Sequence, residues 1–267
     1  MPGENSPSLF ARLNEGAALA ACVNCDAPLS PASAVSPAQK FCGQCAQKTP
    51  THRLTANEIF HDVMHAFLHV DHSVVSLVRA LLVRPGHVAR EYIAGHRKRY
   101  FSPFTFVIIV VGVASLALAS SGLISPVTQD GRINSATEFL QRHVNLVILL
   151  QLPLLSLFSL LLFRRSGFHF AEHMVLAAYT SGMRSIVFTL VTLPAWHLLQ
   201  GVVAVQWVIY GYLLVWGIYF GLASSQFHEG HRGWLWLKGF AAAAFAHLTT
   251  TVLMGFAIFI YIKFVAG

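Results

Sequence analysis

From Phe104 to Ile124 the chain reads FTFVIIVVGVASLALASSGLI, without one charged side chain. A helix of about 20 such residues crosses the roughly 30 Å of hydrocarbon in a bilayer. Inside a helix, each backbone N–H and C=O at that depth finds its partner without water. Four further stretches of similar length follow: Val144 to Phe163, Met174 to Leu198, Val202 to Ser224 and Phe240 to Phe264. The expected fold is an all-α integral membrane protein whose residues 103–267 form a bundle of about five transmembrane helices. Only Leu199, Gln200 and Gly201 separate the third and fourth spans, which predicts a hairpin, and Gln226 to Lys238 reads as a polar loop before the fifth. Composition agrees: 55% of the 267 residues are hydrophobic and 11% charged, whereas soluble domains carry about a quarter charged residues.

A formal net charge of +7 raises the question of nucleic acid, and the placement of the charges answers it. Ten of the 18 Lys and Arg residues precede the first span, six of them between Arg79 and Arg99, against the membrane. Residues 1–54 set Arg12, Lys40, Lys48 and Arg53 against Glu4, Glu15 and Asp26, a balance that gives phosphate backbones no electrostatic footprint. The basic excess is a topology signal. Arg97-Lys98-Arg99, Arg164-Arg165, Arg232 and Lys238 fall on one side of alternating spans; Arg132, Arg142 and Lys263 fall on the other. Basic flanks resist translocation, so the N-terminus is expected in the cytoplasm and the C-terminus across a bacterial-type inner membrane. Leu19-Ala20-Ala21-Cys22 has the outline of a lipoprotein cleavage box, but Glu15 interrupts the apolar stretch such a box requires.

All four cysteines fall into one pattern, Cys22-x-x-Cys25 and Cys42-x-x-Cys45, with sixteen residues between the pairs. That is zinc-ribbon spacing. Two knuckles supply four thiolates to a tetrahedral shell with no open position, so one structural zinc per chain is expected. The intervening Pro, Ala and Ser offer little core, which makes folding of residues 22–48 depend on metal. Disulfides are the competing use of the four thiols, and a reducing cytoplasm disfavours them. Residues 1–21 are expected to be disordered, and residues 55–102 to form an amphipathic helical linker at the cytoplasmic membrane face.

Within that linker, Thr55-x-x-Glu58 is a capping box before a helix over Ile59 to Leu68. Asp71 reads as the N-cap of a second helix ending before Pro85-Gly86, and His87 to Ala94 as a third. His61, His65 and His69 share the polar face of the first with Glu58, where a solvated face is the default and a chelated metal the sharper alternative.

These residues also carry a resemblance. Cys22-Val-Asn-Cys25, Phe41-Cys42-Gly-Gln-Cys45, Asp71, Arg84-Pro85-Gly86, Glu91-Tyr92-Ile93-Ala94-Gly95, Arg97-Lys98-Arg99-Tyr100 and Ser102-Pro103-Phe104 are similar to a bacterial family of uncharacterised multi-pass membrane proteins, domain-of-unknown-function family 3667. The resemblance implies a zinc ribbon ahead of several spans; the family's function is itself unknown, so it supplies architecture and says nothing of activity. Members commonly place Gly after the second cysteine of a knuckle; here Asp26 and Ala46 stand there. Gly best tolerates the left-handed backbone a knuckle turn can need, so weaker metal affinity is expected.

Three functions compete. A closed metal site without a convergent catalytic set favours a non-enzymatic scaffold or regulator whose ribbon docks a cytoplasmic protein. Arg184, in the middle of the third span without an acidic residue inside any span, and His247 in the fifth favour a small-molecule or lipid transporter. Gln151 and the carbonyls released near Pro153, or lipid phosphate if the helix is tilted or short, are the expected partners of Arg184. His169-Phe-Ala-Glu172-His173 matches the inverted zinc-peptidase pattern, with His228, Glu229 or His231 as third ligand, and favours a membrane hydrolase. Against these stand interhelical hydrogen bonding, with Gly217-x-x-x-Gly221 and Gly239-x-x-x-Ala243 bringing helices close, and a polar helix start at Glu172.

Overall fold

The computed structural model describes residues 21–29, 41–47, 73–121 and 144–264. Within them run α1 Ser73–Val83, α2 Pro85–Ile93, α3 Pro103–Ser120, α4 Val144–Leu162 and α5 Phe170–Val187. A π-helical segment Phe188–Thr192, α6 Leu193–Leu199, α7 Val205–Phe227 and α8 Arg232–Phe264 follow. No strand occurs among the described residues. The helix expected over Ile59 to Leu68, its histidines, Asp71, Arg132 and Arg142 lie outside the described residues, as does the expected disordered segment apart from Ala21.

Among the described residues, four helical runs are long and apolar enough to cross a membrane: Pro103–Ser120, Phe170–Leu199, Val205–Phe227 and Arg232–Phe264. The remaining expected span corresponds to α4, in which Val147–Leu162 is apolar but shorter. Large apolar side chains point outward along these helices, Leu116 at 73% exposure and Phe256 at 62% among them. Water would not tolerate so extended an apolar surface, and acyl chains would, consistent with a multi-pass membrane protein.

Two boundaries differ from the sequence expectation. The polar stretch Gln226 to Lys238 is mostly helix, because α8 starts at Arg232 and leaves only four residues outside it and α7. Trp234 and Trp236 make this start amphipathic, and Trp236 stacks on Phe240 at 5.5 Å. The third span runs through a π turn rather than a regular helix. Pro194 has no N–H for the carbonyl four residues back, and the wider turn just before it absorbs the mismatch.

Small residues close the α7–α8 seam as their spacing predicted. A Cβ added to Gly239 would lie 3.0 Å from the Gly221 Cα, and one added to Gly217 2.8 Å from the Phe240 ring. At the centre, α5 packs against α2, α3, α4 and α7. Its Tyr179 is fully buried, donates to the Phe101 carbonyl at 2.8 Å and meets Tyr92 edge-on at 5.9 Å.

The linker helices are part of this core. Leu77 and Leu81 of α1 and Val88, Ala89, Tyr92 and Ile93 of α2 are buried in one cluster with α3, α5 and α7. Pro85 and Pro103 each start a helix at a position where no N–H is needed. Between them Gly95 turns the chain with φ +108°. Tyr219 donates to the Leu81 carbonyl at 2.8 Å, the Gly86 N–H donates to Gln226 at 3.1 Å, and Arg90 pairs with Glu229. Glu91 gathers Arg84 at 3.5 Å, Arg99 at 3.2 Å and the Tyr100 hydroxyl at 2.6 Å. These contacts give the family-like residues of the linker a mechanical role: they lock α2 beneath α5 and α7.

Candidate metal centre and intramembrane polar sites

Each cysteine pair sits in a tight knuckle. The Cys22 N–H donates to the Ala27 carbonyl at 2.7 Å and Asp26 to Cys22 at 2.8 Å; Cys42 donates to Gln47 at 2.8 Å and Ala46 to Cys42 at 2.9 Å. The turns direct all four thiols at one point, with the sulfurs within 4.8 Å of one another. Cys22 Sγ lies 3.6 Å from Cys45 Sγ, and Cys25 Sγ 3.6 Å from Cys42 Sγ. Metal–sulfur bonds of about 2.3 Å in a tetrahedron require sulfur separations of about 3.8 Å, so the quartet fits a metal ion. The four ligands would be the thiolates of Cys22, Cys25, Cys42 and Cys45, and the ion would supply cross-linking.

The electrostatics lead to the same requirement. Backbone N–H groups of Cys45 and Gln44 draw Cys42 down to about 6. At Cys25 the Ala27 N–H pulls the same way, but burial and the neighbouring thiols prevail and push it up to about 12. Four sulfurs this close cannot all ionise without a cation to balance them.

Asp26 and Ala46 take φ of +58° and +56°. The left-handed backbone expected of the knuckles is thus present, at the two positions where the resembling family commonly carries Gly. Left-handed backbone costs an L-residue about 1–2 kcal/mol. Replacing Ala46 by Gly is therefore expected to tighten metal binding about fivefold or more, read from competition against a chelator. Equal affinity would show that the strain is relieved elsewhere.

Arg184 meets one of its expected partners. Its Nη1 donates to Gln151 Oε1 at 2.6 Å. Two residues the sequence reading missed complete the setting: the Tyr212 hydroxyl accepts from Nε at 2.8 Å, and the Trp216 ring lies 4.3 Å from the guanidinium carbon. Their spacing of four on a span is the signal that was available. Arg184, Gln151, Tyr212 and His247 all line a cavity of about 340 Å³ between α3, α4, α5, α7 and α8.

The inverted-peptidase residues part ways. His169 is exposed at the start of α5, where its backbone N–H donates to Glu172 Oε2 at 2.7 Å, while Glu172 and His173 are buried. His173 Nδ1 lies 2.9 Å from Ser159 Oγ. Of the candidate ligands in the next loop, His228 lies 5.5 Å from it between ring centroids. Among the described residues, the only group of three or more His, Cys, Asp or Glu ligand atoms that converges is the cysteine quartet.

His228 is itself buried, stacked on Phe163 at 3.8 Å, with Nδ1 3.0 Å from the Ser224 carbonyl. Burial pushes its imidazole down to about 3, against an ordinary 6.5. Between those values the unfolded chain binds the additional proton, so stability falls as pH drops from about 6.5 toward 3. The melting temperature in detergent is expected to fall between pH 7 and pH 5, and His228→Phe to reduce that fall. An unchanged pH slope in the variant would place the sensitivity elsewhere.

A family model described as "Protein of unknown function (DUF3667)" matches residues 77–114. The match covers part of α1, all of α2, the Gly95 turn and most of α3, and does not reach the cysteines. No curated protein and no solved structure matches the chain.

Proposed function

We propose that this chain is a multi-pass protein of a bacterial inner membrane, in which a structural zinc ribbon docks a cytoplasmic protein. The observation that supports it is the convergence of four sulfurs within 4.8 Å. A four-thiolate zinc shell has no position open to a substrate, so what it offers is a shaped surface. Gln47, in the second knuckle, donates to the Gly95 carbonyl. The ribbon is thereby tied to the same turn that joins α2 to α3, next to Arg97, Lys98 and Arg99. With α4 counted as the fifth span, Arg97, Lys98, Arg99, Arg164, Arg165, Arg232 and Lys238 share the ribbon side, which supports a cytoplasmic ribbon and a C-terminus across the membrane. The lipid bilayer is the constant partner.

Crosslinking in native membranes, followed by identification of the attached proteins, tests the docking role. Removal of residues 1–54 is expected to eliminate a specific partner, and Cys42→Ser to do the same. An unchanged set of partners in both would overturn the reading.

The cavity beside Arg184 favours a second reading, a small-molecule or lipid transporter using Arg184 and His247. Flux through reconstituted vesicles is expected to be lost in Arg184→Leu, and preserved flux would end that reading.

A further inference from the structure

Arg184 lies fourteen residues from Phe170 and fifteen from Leu199, at the middle of that membrane-capable run. Among the described residues it touches only neutral groups, Gln151, Tyr212 and Trp216. A guanidinium has five N–H donors, so among the described residues three find no acceptor and the charge no counter-charge. The cavity it lines is apolar along Leu118, Val147, Phe188 and Met254, and also carries the His247 imidazole and the hydroxyls of Ser115, Ser185, Thr250 and Thr251. It lies in the half of the bundle where α3 ends and α7 begins, opposite the end that carries the cysteines.

We propose that this cavity binds a monoanionic amphiphile, its carboxylate or phosphodiester head on Arg184 and its apolar body along the Leu118, Phe188 and Met254 walls. Charge sets the valence. One negative charge cancels the guanidinium, whereas a dianion would leave a net charge in hydrocarbon, where charge is most costly. Desolvation strengthens the ionic hydrogen bonds that the three remaining N–H groups can make. The lining sets the rest of the molecule, since a small hydrophilic anion would lose its water against apolar walls. The proposal deepens the second functional reading, yet it requires only occupancy, not passage across the membrane.

Binding can be measured on the purified full chain by native mass spectrometry and by thermal protection in detergent. The probes are oleate and phosphatidylglycerol, with oleyl alcohol and phosphatidylcholine as neutral counterparts and acetate as a head without a body. Oleate, phosphatidylglycerol or both are expected to bind at one per chain, and the relative strength of the two identifies the head group. Arg184→Gln is expected to weaken binding by about tenfold or more, the loss of a charge-assisted contact. Should Arg184→Gln fail to fold, Ser115→Leu carries the test. The Ser115 hydroxyl bonds only its own helix, at the Val111 carbonyl, and leucine would occupy the cavity. It is expected to lower binding with the melting temperature unchanged. The proposal is overturned if oleyl alcohol binds as tightly as oleate and phosphatidylcholine as tightly as phosphatidylglycerol. Acetate matching oleate, or Ser115→Leu binding like the parent, would overturn it as well. Binding retained in vesicles that show no flux would keep the site and remove the carrier.

Discussion

Cys42→Ser is expected to take the chain from the one zinc proposed for the cysteine quartet to none, and to leave residues 21–29 and 41–47 open to protease while the helices stay assembled. The size of the effect follows from how little else holds the knuckles among the described residues. Their buried apolar cluster is Cys22, Ala27 and Cys42, with Cys25, Leu29 and Cys45 against it. Such a core cannot offset the entropy of ordering the chain, whereas a structural zinc contributes about 10–16 kcal/mol in comparable small motifs. Removing one of four thiolates leaves the ion with an open position and the opposite knuckle with uncompensated sulfur. Metal counting by mass spectrometry or emission spectroscopy reads the result directly. Zinc persisting at one per chain in Cys42→Ser would place it elsewhere. The hydrolytic alternative at His169, Glu172 and His173 makes a different prediction: two metals in the parent, one of them lost in His173→Ala.

Gly86→Ala is expected to destabilise the helical body by about 3 kcal/mol or more, the upper range for an overpacked contact. A Cβ at Gly86 would lie 2.1 Å from the Ala223 carbonyl oxygen, 2.6 Å from the Gln226 Cβ and 2.6 Å from the Phe227 nitrogen. Two of those atoms are α7 backbone and cannot swing aside, so α2 must lift away from α7. The lift would break the Gly86 bond to Gln226 and the Arg90–Glu229 pair together. A lowered melting temperature in detergent, with new cleavage between Arg84 and Arg99, is the expected observation. Gly112→Ala supplies the control: nothing lies within 4 Å of its Cβ position, so that change is expected to be neutral or slightly stabilising. Equal behaviour of the two variants would mean that α2 is not seated on α7 as described.

Gly86 also shows where sequence reasoning stops. Arg84-Pro85-Gly86 was legible as the end of one helix and the start of another, because proline and glycine act through local backbone geometry. That the glycine serves close approach to α7, 140 residues further along the chain, depends on which helices become neighbours. The π turn is a related case: Pro194 was visible, but whether a proline ends, kinks or widens a helix is decided by the packing around it. The polar stretch before the fifth span misled because Trp234 and Trp236 satisfy both an interfacial loop and the amphipathic first turns of α8, and only contact with α7 selects the helix.

What the amino-acid order determined alone are the properties set by composition, short spacing and local geometry. The apolar runs specify solvent and helix, and the pairs Cys22–Cys25 and Cys42–Cys45 specify a tetrahedral sulfur site. Tertiary structure decided the rest. It seated α2 in the core, gave Arg184 Tyr212 and Trp216 beside the foreseen Gln151, and turned His173 toward Ser159 and His228 while Glu172 caps its own helix. The physical reason is range: a helix or a knuckle is built from bonds a few residues apart, whereas a polar side chain in a bundle takes its partner from whichever helix the apolar packing brings beside it.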